Sequence, residues 1–266
     1  MKHLITALLC TLFSTLCFAE NKVSVIEYCP APGQFVNTLP IIESEDNVLQ
    51  KAQQNLERGS MISLGAFGGY MVVKFDTPLA NAEGNDFIIL GNAFATSAEP
   101  GVVMVSRDAN QNGIADDRWY EIAGSEYARS TKNYKITYYR PTTENNASEE
   151  AIEEYIRWSD NQGNSGWLTK NTTHKQPYYP TWIDVDSLTF SGTLLPDNAI
   201  DEKVMVHTSN WYHSNGVMPT INLILTKQVA VLTLTGLLIL KGIKLILKLL
   251  ISYAYIQAQL LPTTDK

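Results

Sequence analysis

Tyr134-Lys135-Ile136-Thr137-Tyr138-Tyr139 decides how this chain is read. Its side chains alternate, with isoleucine and aromatics interleaved with Lys and Thr. That period of two marks a strand with one face inward. Similar short runs lie on either side. Tyr70–Phe75 is rich in β-formers and follows Gly68-Gly69. Residues 86–90, 102–105, 119–122, 182–185 and 188–190 read as further strands. Gly, Pro and Asn fall between them at fairly regular distances. This pattern predicts a mainly β domain, a β-sandwich or jelly roll, rather than alternating β-α units.

Two helices are expected inside this frame. Residues 46–58 carry Asp46 as a cap, apolar spacing at Leu49, Ala52 and Leu56, and Gly59 as a stop. Residues 149–157 place Ile152, Tyr155 and Ile156 at helical spacing. No internal repeat is visible, and no glycine-rich loop joins a strand to a helix as a phosphate site requires.

The 266 residues carry a formal charge of −7, with 45% hydrophobic and 18% charged residues. This is a globular composition, and its acidity argues against nucleic acid as a partner. Residues 1–19 read as a secretory signal. Lys2 and His3 start it, Leu4 to Leu16 form its apolar stretch, and Cys17 and Ala19 supply the small residues of a cleavage site. Leu16 fits poorly before a lipidated Cys17. Of the cysteines at 10, 17 and 29, only Cys29 outlasts such a signal, so no intrachain disulfide is expected.

The strongest chemical motif is Asp108-Ala109-Asn110-Gln111-Asn112-Gly113-Ile114-Ala115-Asp116-Asp117. Oxygen-bearing side chains stand at positions 1, 3 and 5, glycine at 6 and an acid at 9. A hard cation such as Ca²⁺ takes six to eight oxygens, and the glycine permits the turn that gathers them. Asp108, Asn110, Asn112, the Ile114 carbonyl, Asp116 and Asp117 are the candidate ligands, in a structural role. Trp119 stands where the twelfth-position Glu belongs, leaving Glu121 or Asp117 to substitute. A solvated turn is the plainer reading of the same residues.

Trp158, Trp167, Tyr178, Tyr179 and Trp182 form an aromatic group. Such rings either stack on sugars or fill a β-sandwich core, and the core reading is preferred because no period isolates them on one face. Histidine catalysis has little support. His3 lies in the signal, His207 and His213 in the tail, and His174 stands alone. Neither a nucleophile elbow nor a His-Glu-x-x-His motif occurs. Paired carboxylates need no sequence adjacency, so Glu99, Asp117 and Glu121 are the candidates for a glycan-active enzyme.

Several long motifs occur in order. They are Tyr28–Asn37, Ser63–Tyr70, Glu99-Pro100-Gly101, the Asp/Asn loop running into Trp119–Tyr127, and Trp158–Asn161. Over about residues 26–200 the chain resembles a family of exported cell-surface proteins of Bacteroidota-type bacteria, often associated with PKD domains. The resemblance implies a cell-surface, outer-membrane or periplasmic location. It also implies outer-membrane nutrient-uptake proteins, including cobalamin-type ones, as partners.

Residues 203–266 differ in character. Six Lys and one acid give them +5, leaving −12 for residues 1–202. A membrane helix at 229–251 would carry Lys241, Lys244 and Lys248, each costing roughly 2.5–3.5 kcal/mol near the bilayer centre. An amphipathic surface helix is the milder alternative. The resemblance suggests a third reading. The family ends in segments like Trp-Gly-Tyr-Ala-Asp-Asn, Phe-Asp-Ile-Asp-Trp-Ala-Val-Asp and Ile-Asp-Phe-Ile-Lys-Val-Tyr-Thr-Gly. Codons for residues 216–221, 232–239 and 250–258, read one base earlier, can spell close versions of all three. The tail is therefore read as out of frame from near residues 200–206, which would leave an unpaired sheet edge.

The domain plan is thus a signal at 1–19, a β-sandwich domain at 20–202 and an atypical apolar tail at 203–266. The expected function is non-enzymatic binding outside the cytoplasm, with a Ca²⁺-type loop and an extracellular ligand such as a glycan or small nutrient. A carboxylate-dependent glycan-active enzyme and a tail-anchored membrane protein are the alternatives.

Overall fold

The computed structural model describes residues 22–76, 87–90, 101–123, 127–142, 150–170 and 172–195. It also describes the backbone of residues 222–224, 229–232, 245–251 and 254–256. The signal region 1–19, Glu99, His207 and His213 lie outside the described residues.

Strand β1 (Val23–Cys29) is followed by a single turn of 3-10 helix at Glu45–Asn47 and by helix α1 (Val48–Glu57). Then come β2 (Ile62–Gly65), β3 (Tyr70–Phe75), β4 (Phe87–Leu90), β5 (Gly101–Arg107) and β6 (Trp119–Glu121). After a second 3-10 turn at Tyr127–Arg129 follow β7 (Thr131–Tyr139), β8 (Ile152–Asp160), β9 (Ser165–Lys170) and β10 (Ser187–Leu194). The tail supplies β11 (Asn222–Ile224), β12 (Val229–Leu232), β13 (Leu245–Ile251) and β14 (Ala254–Ile256). Among the described residues the domain is mainly β with one short α-helix, as the alternation at 134–139 led us to expect.

Two sheets organise it. One has the order β1-β3-β13-β5-β6 and the other β10-β7-β8-β9. Smaller sheets join β11-β12-β4 and β14-β2. The first core gathers Met71, Val73 and Phe75 of β3 with Val103 and Val105 of β5, beneath Val48, Ala52 and Leu56 of α1. The second gathers Tyr134, Ile136 and Tyr138 of β7 with Tyr155, Ile156 and Phe190. Tyr178 and Tyr179 complete it, so these two rings fill the core, as the preferred reading of the aromatic group has it. Trp158 and Trp182 are half-buried against the cores, and Trp167 is exposed.

Edge strand β1 is protected by a side chain from α1. The Gln53 amide accepts from Val25 N at 2.7 Å and donates to the Val23 carbonyl at 3.0 Å. It thus satisfies two backbone groups that a sheet edge would otherwise leave open.

Three expectations need correction. Residues 152–160 form a strand, not the helix expected at 149–157. The register of β8 against β9 shifts between Ile152 and Ile156. That irregularity buries the consecutive Tyr155 and Ile156, which imitates helical spacing. Residues 182–185 form no strand. Arg140 and the Tyr179 hydroxyl take the Ile183 and Val185 carbonyls that a ladder would use. In α1 the buried residue of the first turn is Val48, while Leu49 is exposed, and the cap position is Asn47, one residue after the predicted Asp46.

The described ends of the stretch 229–251 are strands, where the membrane or amphipathic alternative expects helix. No helix among the described residues is long and apolar enough to cross a membrane. Strand β13 runs antiparallel to both β3 and β5, with Leu247 opposite Val73 and Val105. The slot between β3 and β5 is therefore filled rather than left as an open edge. Ladder hydrogen bonds use backbone alone, so this pairing is compatible with either reading frame.

Candidate functional site

The Asp/Asn loop joins β5 to β6 at the edge of the five-stranded sheet. It is folded by its own side chains. Asp108 Oδ2 accepts from Gly113 N at 3.0 Å, drawing the first position onto the sixth. Asn110 Oδ1 accepts from Asn112 N at 2.9 Å, and Asn112 Oδ1 accepts from Ile114 N at 2.7 Å. These successive turns are the local bonds that short polar side chains favour. Gly113 has φ +77, which lets the chain reverse there. Lys74 approaches this glycine, with Nζ 2.6 Å from where a Cβ would stand.

Four of the six candidate ligand residues gather through side chains. Besides Asp108, Asn110 and Asn112, Asp116 Oδ2 accepts from the Asn112 amide at 3.0 Å. Ile114 has an exposed side chain, so only its carbonyl has a ligand's chemistry. Asp117 Oδ2 accepts from Ala109 N at 2.9 Å and closes the loop's base. No three His, Cys, Asp or Glu converge as a metal cluster among the described residues. Of the six candidates, three are carboxylates, two are amides and one is a backbone carbonyl.

Asp108 is 4% exposed, and its Oδ1 is buried with no hydrogen-bond partner. A carboxylate oxygen left so costs free energy, of order 1–3 kcal/mol. Its sister oxygen already bonds within the loop, so the orphan belongs to the loop's interior edge. A hard cation is the partner that such an oxygen fits.

Both oxygens of Glu121, a candidate substitute at the twelfth position, are engaged by side chains outside the loop. One oxygen takes Lys132 Nζ at 2.6 Å and the other takes the Thr193 hydroxyl at 2.5 Å. The same contacts tie β6 to β7 and β10, so this carboxylate is a joint between the two large sheets. Trp119 fills the twelfth position from β6 and donates Nε1 to the Ala115 carbonyl at 3.3 Å. His174 packs edge-on to Phe35, 4.3 Å between ring centroids, and burial lowers its pKa.

Other motifs prove to be backbone staples. Asn37 donates to the Pro177 and Tyr179 carbonyls at 2.7 and 2.9 Å and accepts from Thr181 N and Oγ1 at 2.8 and 3.0 Å. Asp160 closes the β8–β9 hairpin by accepting from Gln162 N, Asn164 N and the Asn164 amide, and it also accepts from the Tyr134 hydroxyl. Burial alone would raise its pKa, but these bonds outweigh it and hold the carboxyl below its ordinary value. Against the known protein families and the curated proteins, the chain matches none.

Proposed function

We propose that this chain is an exported, non-enzymatic binding protein of the cell surface or periplasm, with Ca²⁺ as a structural ion in the 108–117 loop. The observation that carries the metal assignment is the orphaned, buried Oδ1 of Asp108 in a loop whose other oxygens stand at Ca²⁺ spacing. Asp108, Asn110, Asn112, the Ile114 carbonyl and Asp116 would hold the ion, with Asp117 closing the base. Bound there, Ca²⁺ would supply charge for Asp108 and fix the β5–β6 connection. The engagement of Glu121 by Lys132 and Thr193 favours binding over a carboxylate-based reaction at that residue. Export rests on the 1–19 pattern, and partnership with uptake proteins on the family resemblance.

Calorimetric titration of the full chain with CaCl₂ tests the loop. One Ca²⁺ should bind and raise stability by about 2.7 kcal/mol at a hundredfold excess over Kd. Asp108→Ala should abolish the heat. Absence of both heat and stabilisation in the unsubstituted protein would remove the metal from the proposal.

A further inference from the structure

The outer face of the β10-β7-β8-β9 sheet holds side chains that neither core uses. Trp167 is 44% exposed and stands directly opposite Arg157. The Arg157 guanidinium in turn lies 5.0 Å from the centroid of Tyr139. Ring, cation and ring thus form a row across three strands. Neighbouring strands are about 4.8 Å apart, so the row is roughly 10 Å long.

A second row beside it is made of hydroxyls. Ser159 pairs with Thr137 and Thr137 with Thr189. The Thr137 and Thr189 hydroxyls lie 2.8 Å apart, and Tyr139 Oη lies 2.9 Å from Ser159 Oγ. A hydroxyl donates once and accepts twice, so these contacts leave capacity for a ligand. The next row carries Lys135, exposed and paired with Ser191. Both charged side chains in these three rows are basic, in a chain whose net charge is −7. Glu153 and Glu154 lie past the β8 irregularity, at the strand's far end.

We propose that this face binds an anionic polysaccharide. Pyranose rings offer an apolar C–H face to an aromatic platform and hydroxyl edges to a hydroxyl row. Uronate carboxylates match Arg157 and Lys135, and a guanidinium recognises a carboxylate in two-pronged fashion. Its local positive charge inside an acidic molecule also repels cationic ligands and attracts anionic ones. The inference rests on the binding role proposed above and names its ligand class. It does not rest on Ca²⁺, because the 108–117 loop belongs to the other sheet.

The test is affinity electrophoresis and calorimetry of the full chain with hyaluronan, with dextran as the neutral comparison. Hyaluronan should bind and dextran should not, and added salt should weaken the binding. Trp167→Ala should weaken it roughly tenfold, and Trp167→Phe should recover most of the loss. Arg157→Gln should weaken it and flatten the salt dependence, while Tyr127→Ala, exposed at another position, should change nothing. Failure to bind hyaluronan in a protein that still takes up Ca²⁺ overturns this proposal and leaves the metal loop standing. Equal binding of dextran overturns the anionic class. Binding that ignores both Trp167→Ala and Arg157→Gln overturns the assignment to this face.

Discussion

Replacing Gly65 by alanine probes one of the two closest approaches of backbone to a glycine among the described residues. Ala31 N donates to the Leu64 carbonyl at 3.0 Å, and Ala66 N donates to the Pro32 carbonyl at 3.1 Å, so two chain segments cross against each other. A Cβ on Gly65 would stand 1.7 Å from the Ala31 carbonyl oxygen and 2.7 Å from its carbon. The obstacle is backbone, so it cannot swing aside. Gly65 also has φ +72, which costs an alanine about 1–2 kcal/mol. Separating the segments gives up two hydrogen bonds at about 1 kcal/mol each. The expected loss is therefore about 3–4 kcal/mol, a large share of a stability of roughly 5–15 kcal/mol. Gly163 supplies the comparison. It has φ +87 but nothing within 4 Å of a Cβ, so Gly163→Ala should cost only about 1 kcal/mol. Urea unfolding followed by tryptophan fluorescence measures both. With a slope near 2 kcal/mol per molar, Gly65→Ala should lower the midpoint by about 1.5–2 M and Gly163→Ala by about 0.5 M. Equal midpoints for the two variants would refute the close-approach argument.

Two further predictions concern the hairpin and the tail. The lowered pKa of Asp160 means that its carboxylate adds stability above the unfolded Asp pKa of about 3.9, and loses it as pH falls through the lower folded value. The stability gap between the natural chain and Asp160→Asn should thus be full at pH 7 and shrink below pH 4 in urea titrations; a constant gap would contradict it. Sequencing codons 195–260 should find the three family segments in the neighbouring frame, and their absence there would establish the Lys-bearing tail as the true frame.

The strands at 70–75 and 134–139 were legible because alternation and β-branching directly reflect a pleated, half-buried surface. The loop was legible because its turns are local, with Asp108, Asn110 and Asn112 each bonding backbone within five residues. Long-range features were not. Nothing in Asn37 announces that it will saturate four bonds with residues 177–181. Glu121 could be read as a metal ligand or an acid from its place after the loop, and only the approach of Lys132 and Thr193 reveals a joint. Tyr155 and Ile156 misled because a strand irregularity imitates a helical period. The exposure of Trp167 beside four sheltered aromatics was hidden too, since ring chemistry is the same inside and out. The alternation Ser165-Gly166-Trp167-Leu168-Thr169 was the available signal, placing Trp167 with Ser165 and Thr169 on one face.

The position of β13 has a consequence for how the molecule comes into being. Its seven residues separate β3 from β5, yet they are made roughly 140 residues after β5 ends. At about 5–20 residues per second, translation needs on the order of ten seconds to cover that distance. Throughout that interval β3 and β5 both exist as nascent chain, each lacking the neighbour it will keep. A growing chain in this condition is open to wrong partners, β3 with β5 themselves or with another copy. Delayed collapse, or a chaperone that holds the early segments, therefore favours a correct outcome over fast folding. Export in an unfolded form would provide the same delay.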